Sequence, residues 1–225
     1  MKDIAYKLNN IHNIQSDLTY IISTNNIMIM DILNKYDIGL IPYINILNNK
    51  INNLRSCNKR IVFCHRDLNV KNIILDTTKS SDYSAINFID WEYAGCDYYF
   101  IDIGLHLFEL NHYKTNQYAQ PDNSKEFIDL LPTDDFISKW LLMYYNNNNN
   151  NNNIDINYEI YCVKIGIVIA CCFWSLWAIN TLKNDPDRQF PKGDLSNKLL
   201  NYSIYSNVRI NAVKLLIDSN YIELI

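Results

Sequence analysis

Glycine and proline are scarce in this chain of 225 residues, five of each. A glycine-rich phosphate loop is therefore hardly available, because such loops need several residues free to take positive φ close to a ligand. An excess of charge of one sign is also lacking. The formal net charge is −4 and no long Lys/Arg cluster occurs, which argues against nucleic-acid binding. The six Cys form no C-x-x-C pair and show no His/Cys ligand spacing, and Cys171 and Cys172 are neighbours, a poor disulfide geometry. Reduced, buried thiols and a cytoplasmic setting follow as expectations. The start, Met1-Lys2-Asp3-Ile4, leads into mixed polar sequence and not into an apolar signal core. The uncharged stretch 165–179, set between Lys164 and Lys183, is shorter than the ~20 apolar residues a bilayer needs. It reads as a helix buried in the domain, with no integral membrane segment expected.

What is present suits one globular domain over 1–225, with 48% apolar and 20% charged residues. Ile4, Leu8, Ile11 and Ile14 recur at helical spacing, which predicts an amphipathic helix over 1–14. Residues 15–60 read as helical with loops. Short apolar runs predict strands at 61–64, 73–75 and 85–89, with a polar turn at 76–84. Helices are expected over 102–113, 134–145, 158–184 and 195–219. The third opens after eight consecutive asparagines at 146–153, a tract too polar to order itself and read as a surface loop insertion.

The chemistry concentrates in Phe63-Cys64-His65-Arg66-Asp67-Leu68-Asn69-Val70-Lys71-Asn72, answered by Phe88-Ile89-Asp90-Trp91-Glu92. In kinases, Asp and Asn at this spacing let the Asp accept the proton of an attacking hydroxyl while the Asn holds Mg²⁺. Asp90, at the end of an apolar run, stands where a second carboxylate would bridge metal to phosphates. Asp67 is thus the expected general base, and Asn72 and Asp90 the expected Mg²⁺ ligands, all hard oxygen donors. The plain alternative is three polar residues in tight turns. His65 is expected to brace the loop in preference to transferring protons, and Glu92 to lie beside the metal or in solvent.

His65-x-Asp67-Leu68, Lys71-Asn72-Ile73-Ile74, Ile89-Asp90-x-Glu92-Tyr93-Ala94-Gly95, Asp102-Ile103-Gly104-x-His106 and Phe173-Trp174-x-Leu176-Trp177-Ala178-Ile179 together resemble the choline/ethanolamine kinase family. Ile4-Ala5-x-Lys7-Leu8-x-x-Ile11-His12 is similar to a helix of the same family, and Lys71-Asn72-Ile73-Ile74 and the aromatic segment lean slightly to its ethanolamine branch. The resemblance implies an α+β, mostly α fold: a protein-kinase-like C-terminal lobe with a small β-hairpin or sheet at the catalytic loop. Before His65 the only glycine is Gly39 and no strand-Lys pattern occurs, so the N-terminal ATP-binding lobe is expected to be largely missing. The family usually has Asn where this chain has Arg66. His-Arg-Asp is the protein-kinase spelling, but Trp91-Glu92 after Asp90, and Asn69 two residues past Asp67, depart from that class.

The resemblance further implies ATP as co-substrate and an amino alcohol, ethanolamine or choline, as acceptor, in the synthesis of phospholipid head groups. Trp174 and Trp177, with Tyr93 and Glu92, would wall the amino-alcohol pocket, Glu109 would face its ammonium, and Asp102 would support the catalytic loop. Aromatic faces attract ammonium groups by about 0.5–2 kcal/mol each, although two tryptophans three apart also suit a core. His106 reads as a satisfied helix histidine. Three readings stay open: an ethanolamine/choline kinase; an inactive pseudokinase that binds an amino alcohol, as a homodimer or paired with a full-length kinase; and an aminoglycoside-kinase-like phosphotransferase.

Overall fold

The computed structural model describes residues 1–14, 38–58, 60–79, 85–114, 124–145, 154–185 and 202–223. The asparagine tract at 146–153 and the expected helical segments within 15–37 and 195–201 lie outside these residues.

Helix α1 (Lys2–His12) buries Ala5, Leu8, Asn9 and His12. Of the stripe expected from spacing only Leu8 is fully buried: Ile4 and Ile11 pack on the core part-buried and Ile14 is exposed, so the buried face is turned by about one residue. Asp3 stands in the first turn, where the helix dipole favours an anion. Helix α2 (Ile41–Asn52) starts with Pro42 in its first turn, a position that has no intrahelical N–H partner to lose. Strand β1 (Ile61–Cys64) alternates, with Val62 and Cys64 turned inward. A 3₁₀ turn (Val70–Asn72) then leads into β2 (Ile73–Leu75), which pairs antiparallel with β3 (Ile86–Phe88) in the register Ile73–Phe88 and Leu75–Ile86. Among the described residues no strand precedes Ile61.

Strand β4 (Gly95–Tyr98) is absent from the sequence reading. Gly-Cys-Asp-Tyr carries no apolar alternation, and it becomes a strand because β1 offers it an edge, pairing Cys64 with Gly95 and Ile61 with Tyr98. Helix α3 (Tyr99–Lys114) follows without a break, and α4 (Ser124–Asp129) is a second element not expected from the sequence. Helix α5 (Asp134–Tyr145) has the boundaries expected. The Thr133 hydroxyl accepts from Phe136 N at 3.3 Å, and Asp134 and Asp135 stand in the first turn. Helix α6 (Ile156–Asn184) starts from Asp155, whose side chain accepts from Tyr158 N. Helix α7 is Tyr202–Asp218.

The core forms around α6, which packs on α3, α5 and α7. This helix is long and apolar enough to cross a membrane, yet 78% of its most apolar window is buried inside the domain, as expected of a core helix. Its contact with α3 is close. A Cβ on Gly104 would lie 2.6 Å from Ile167 N, and one on Gly166 would strike Phe100 O. Two glycines facing each other's backbone bring the helices together at the level of Asp102. Cys64, Cys96, Cys162, Cys171 and Cys172 are buried free thiols, whereas Cys57 is exposed, so the expectation of buried thiols fails at that one position.

Candidate active site

The site is built where β1 ends. After Cys64 the chain turns through Arg66, at φ 64°, and drops onto the first turn of α3. There Asp102 accepts the backbone N–H of His65 on Oδ2 at 2.6 Å and that of Arg66 on Oδ1 at 2.7 Å. Asp102 is fully buried, and both of its oxygens hold loop backbone. Burial pushes its carboxyl up, but the bonds from His12 and from the two backbone amides outweigh this and hold it below the usual range.

The loop then folds back on itself. Asn69 Oδ1 accepts from Lys71 N and caps the 3₁₀ turn. That turn returns Asn72 to Asp67: Asn72 Nδ2 donates to Asp67 O and to Asp67 Oδ2, each at 2.8 Å, and Asn69 Nδ2 donates to Asp67 Oδ1 at 3.0 Å. With its amide nitrogen committed to Asp67, Asn72 keeps Oδ1 as its remaining donor atom for a cation. Burial pushes the Asp67 carboxyl up to about 7; the charges of Glu109 and Asp90 add to this, while the bonds from Asn69 and Asn72 oppose it.

β3 brings Asp90 to the same loop. Ile89 N donates to Asn72 O at 3.0 Å, and Ile89 O lies 2.8 Å from His65 Nε2, so the residue before Asp90 is tied on both sides. Asp90 itself is exposed, at φ 62°. His65 is buried with both ring nitrogens engaged, since Asp67 N donates to Nδ1 at 3.3 Å and Nε2–H therefore points to Ile89 O. Trp91 covers this ring at 4.4 Å and donates from Nε1 to Phe88 O. His106 faces Leu68 O at 3.2 Å, and burial pushes its pKa down to about 4, so it is a neutral brace. The groups left for a cation, Asn72 Oδ1 and the Asp90 carboxylate, are oxygen donors only, which fits a hard divalent cation such as Mg²⁺.

The Arg66 side chain turns away from the Asp67 carboxyl. It passes beneath Gly95, where a Cβ would collide with it, donates to Cys96 O and pairs with Asp97 Oδ2 at 3.2 Å. The residue in place of the family's usual Asn thus ties the loop to β4.

An aromatic cluster adjoins the loop. Trp177 Nε1 donates to Tyr93 Oη at 3.0 Å, and the Tyr93 ring meets Phe173 and Trp174 edge-on. Trp174 packs on Trp177, and Trp177 on Tyr202. The Asp67 charge is felt at Tyr93, whose hydroxyl is pushed up by burial first and then by the Glu92 carboxylate. Glu109 stands two turns beyond Asp102 on α3, 4.0 Å from Arg209, which lies over the Tyr205 ring at 3.4 Å. Burial raises the Glu109 carboxyl, against the charges of Arg209 and Lys71. Tyr202, Tyr205 and Arg209 were not singled out from the sequence, although an i, i+3, i+7 stripe of two tyrosines and an arginine was there to be read. In the sequence His12 reads only as part of a helix. Its partner Asp102 lies 90 residues away, a contact no local pattern shows.

A short Asp–Asn loop hung from a buried helical carboxylate, beside paired strands and under a helical body, is the build of a kinase-like catalytic lobe. The model of the choline/ethanolamine kinase family matches residues 1–214, and the chain belongs to that family. Ethanolamine kinase 2 of Rattus norvegicus is 28% identical over 145 residues, 62% of this chain and 34% of that protein. This chain therefore spans about a third of the length of that curated relative. Among solved structures, a choline/ethanolamine kinase family protein of Mesorhizobium loti matches with TM-score 0.64 at 14% identity, over 98% of this chain and 62% of that one. An ethanolamine kinase of Plasmodium vivax matches with TM-score 0.57 at 20% identity, over 96% and 48%. At these identities the two structures speak for the fold.

Proposed function

We propose that this chain carries the catalytic loop and amino-alcohol site of an ATP-dependent ethanolamine or choline kinase, serving phospholipid head-group synthesis in the cytoplasm. The observation that carries the reading is the Asp67 carboxylate, held by Asn69 and Asn72 and pushed up to about 7 by burial. A carboxyl tuned close to neutral pH suits a general base, which is most effective when its pKa lies near the working pH. Asp67 takes the proton from the substrate hydroxyl as its oxygen bonds to the terminal phosphorus of ATP and the bond to the ADP oxygen breaks. Bound Mg²⁺ would neutralise phosphate charge, with Asn72 and Asp90 as its protein ligands. His65, Asp102 and His106 keep the loop in place.

The ammonium end would be received by Tyr93, Trp174, Trp177 and Tyr202, with Glu109 as counter-charge. A primary ammonium donates hydrogen bonds to a carboxylate, whereas a trimethylammonium depends on aromatic faces. Glu109 and the ethanolamine kinases among the relatives favour ethanolamine.

The test is ADP release by the purified chain with Mg²⁺-ATP and ethanolamine, choline or an aminoglycoside, together with Mg²⁺-ATP binding by calorimetry. Turnover on an amino alcohol supports the reading, and preference for the aminoglycoside replaces it. Amino-alcohol binding without turnover leaves a non-catalytic amino-alcohol-binding protein.

A further inference from the structure

His12, in the last turn of α1, is 4% exposed and places Nε2 3.2 Å from Asp102 Oδ2, the oxygen that also holds His65 N–H. Its Nδ1 lies 2.8 Å from Tyr144 Oη, which accepts from Arg60 Nη2 at 2.8 Å. A guanidinium can only donate, so Tyr144 keeps its own hydrogen for His12 Nδ1, and the imidazole proton falls on Nε2, facing the carboxylate. Donation thus runs one way, from Arg60 to Tyr144 to His12 to Asp102. Burial lowers the His12 pKa against the pull of Asp102, and burial raises the Tyr144 hydroxyl, so the imidazole stays neutral and the phenol protonated. The donor atoms of His12, Cys64 and Asp102 lie within 4.8 Å of one another. Each is already engaged, Cys64 Sγ by the carbonyls of Asp97 and Tyr98, so the cluster is a hydrogen-bond assembly and not a cation cage.

We propose that His12 is a positioning residue of the catalytic loop: by donating to Asp102 it orients the carboxylate that holds the His65 and Arg66 backbone, and so sets where Asp67 stands. A carboxylate that accepts three N–H groups is over-determined in angle. Removing the imidazole frees Asp102 to rotate and loosens both loop amides. The catalytic consequence rests on the reading of Asp67 as base; the anchoring of the loop does not.

The experiment compares amide exchange at His65 and Arg66 in the wild-type chain, His12→Phe, His12→Gln and Tyr144→Phe. Gln keeps a donor near the Nε2 position, whereas Phe keeps only bulk. Exchange at the two amides is expected to quicken roughly tenfold or more in His12→Phe, while α6 amides stay within about twofold, and to return most of the way in His12→Gln. Tyr144→Phe, which leaves His12 in place without its support, is expected to quicken the same amides by about threefold. Unchanged exchange in folded His12→Phe overturns the proposal, as does equal loosening in the Gln and Phe variants. Should His12→Phe fail to fold, unchanged exchange in Tyr144→Phe overturns it. With ethanolamine turnover as a second readout, His12→Phe is expected to lose kcat by about tenfold or more at nearly constant KM, with recovery in His12→Gln. Wild-type kcat in His12→Phe overturns the catalytic half. A wild-type chain without turnover removes the proposed function and leaves the exchange result to decide the anchoring.

Discussion

The side-chain amide of Asn72 reaches back five residues to hold both the main-chain and the side-chain oxygen of Asp67, each at 2.8 Å. One donor group thereby sets the turn and the direction of the carboxylate together.

Removal of the carboxylate is expected to end turnover. Asp67→Ala should lower kcat by about 10²–10⁴-fold, the usual worth of a positioned general base, with the far-UV spectrum unchanged. Retained kcat would show that another group takes the proton.

The same carboxyl ties stability to pH. Its folded pKa is raised to about 7 from 3.8, so the folded chain binds this proton more tightly than the unfolded chain. The benefit is complete below about pH 4 and is lost as pH rises to about 7, where the charged form costs on the order of a few kcal/mol. Asp67→Asn is therefore expected to melt higher than wild type at pH 8, by a few degrees for each kcal/mol gained, and by less at pH 5. The amide forfeits one acceptor for Asn69 or Asn72, which offsets about 1 kcal/mol. Melting curves at the two pH values decide it, and an equal or lower midpoint at pH 8 rejects the raised pKa. In turnover, kcat should climb with pH and level off above about 7.

Trp177→Leu removes an aromatic face and the donor to Tyr93 Oη. KM for the amino alcohol should rise about 2–30-fold, matching the 0.5–2 kcal/mol of a cation–aromatic contact, with KM for ATP unmoved. An unchanged KM in steady-state assays assigns Trp177 to packing alone.

Gly104→Ala would normally favour a helix by about 1 kcal/mol. Here the new methyl meets Ile167 N at 2.6 Å, and backbone cannot move aside as a side chain can. Overpacking of about 1–3 kcal/mol or more should win, lowering the urea midpoint. A raised midpoint would mean that α3 and α6 part without cost.

Helix α5 was legible to the residue because its signals are local: Thr133 and two acids at the start, then apolar spacing. β1 and β2 were legible as short apolar runs. β4 was not, since Gly95-Cys96-Asp97-Tyr98 is a strand only in the company of β1. The same distinction divides the site. Asp67, Asn72 and Asp90 are candidates on spacing alone, while Tyr202, Tyr205, Arg209 and His12 become candidates only through packing against elements distant in the chain.

The order of residues by itself determined which groups are candidates for chemistry, because two acids and an amide within 24 residues of one another are joined by short turns and one hairpin. Only the tertiary structure decided how those groups are tuned. Burial raised the Asp67 carboxyl, Asp102 and His12 met across 90 residues to hold the loop, and Arg66 swung to Asp97 and away from the Asp67 carboxyl. Such effects depend on distance and on exclusion of water, and neither is written in the spacing of residues along a chain.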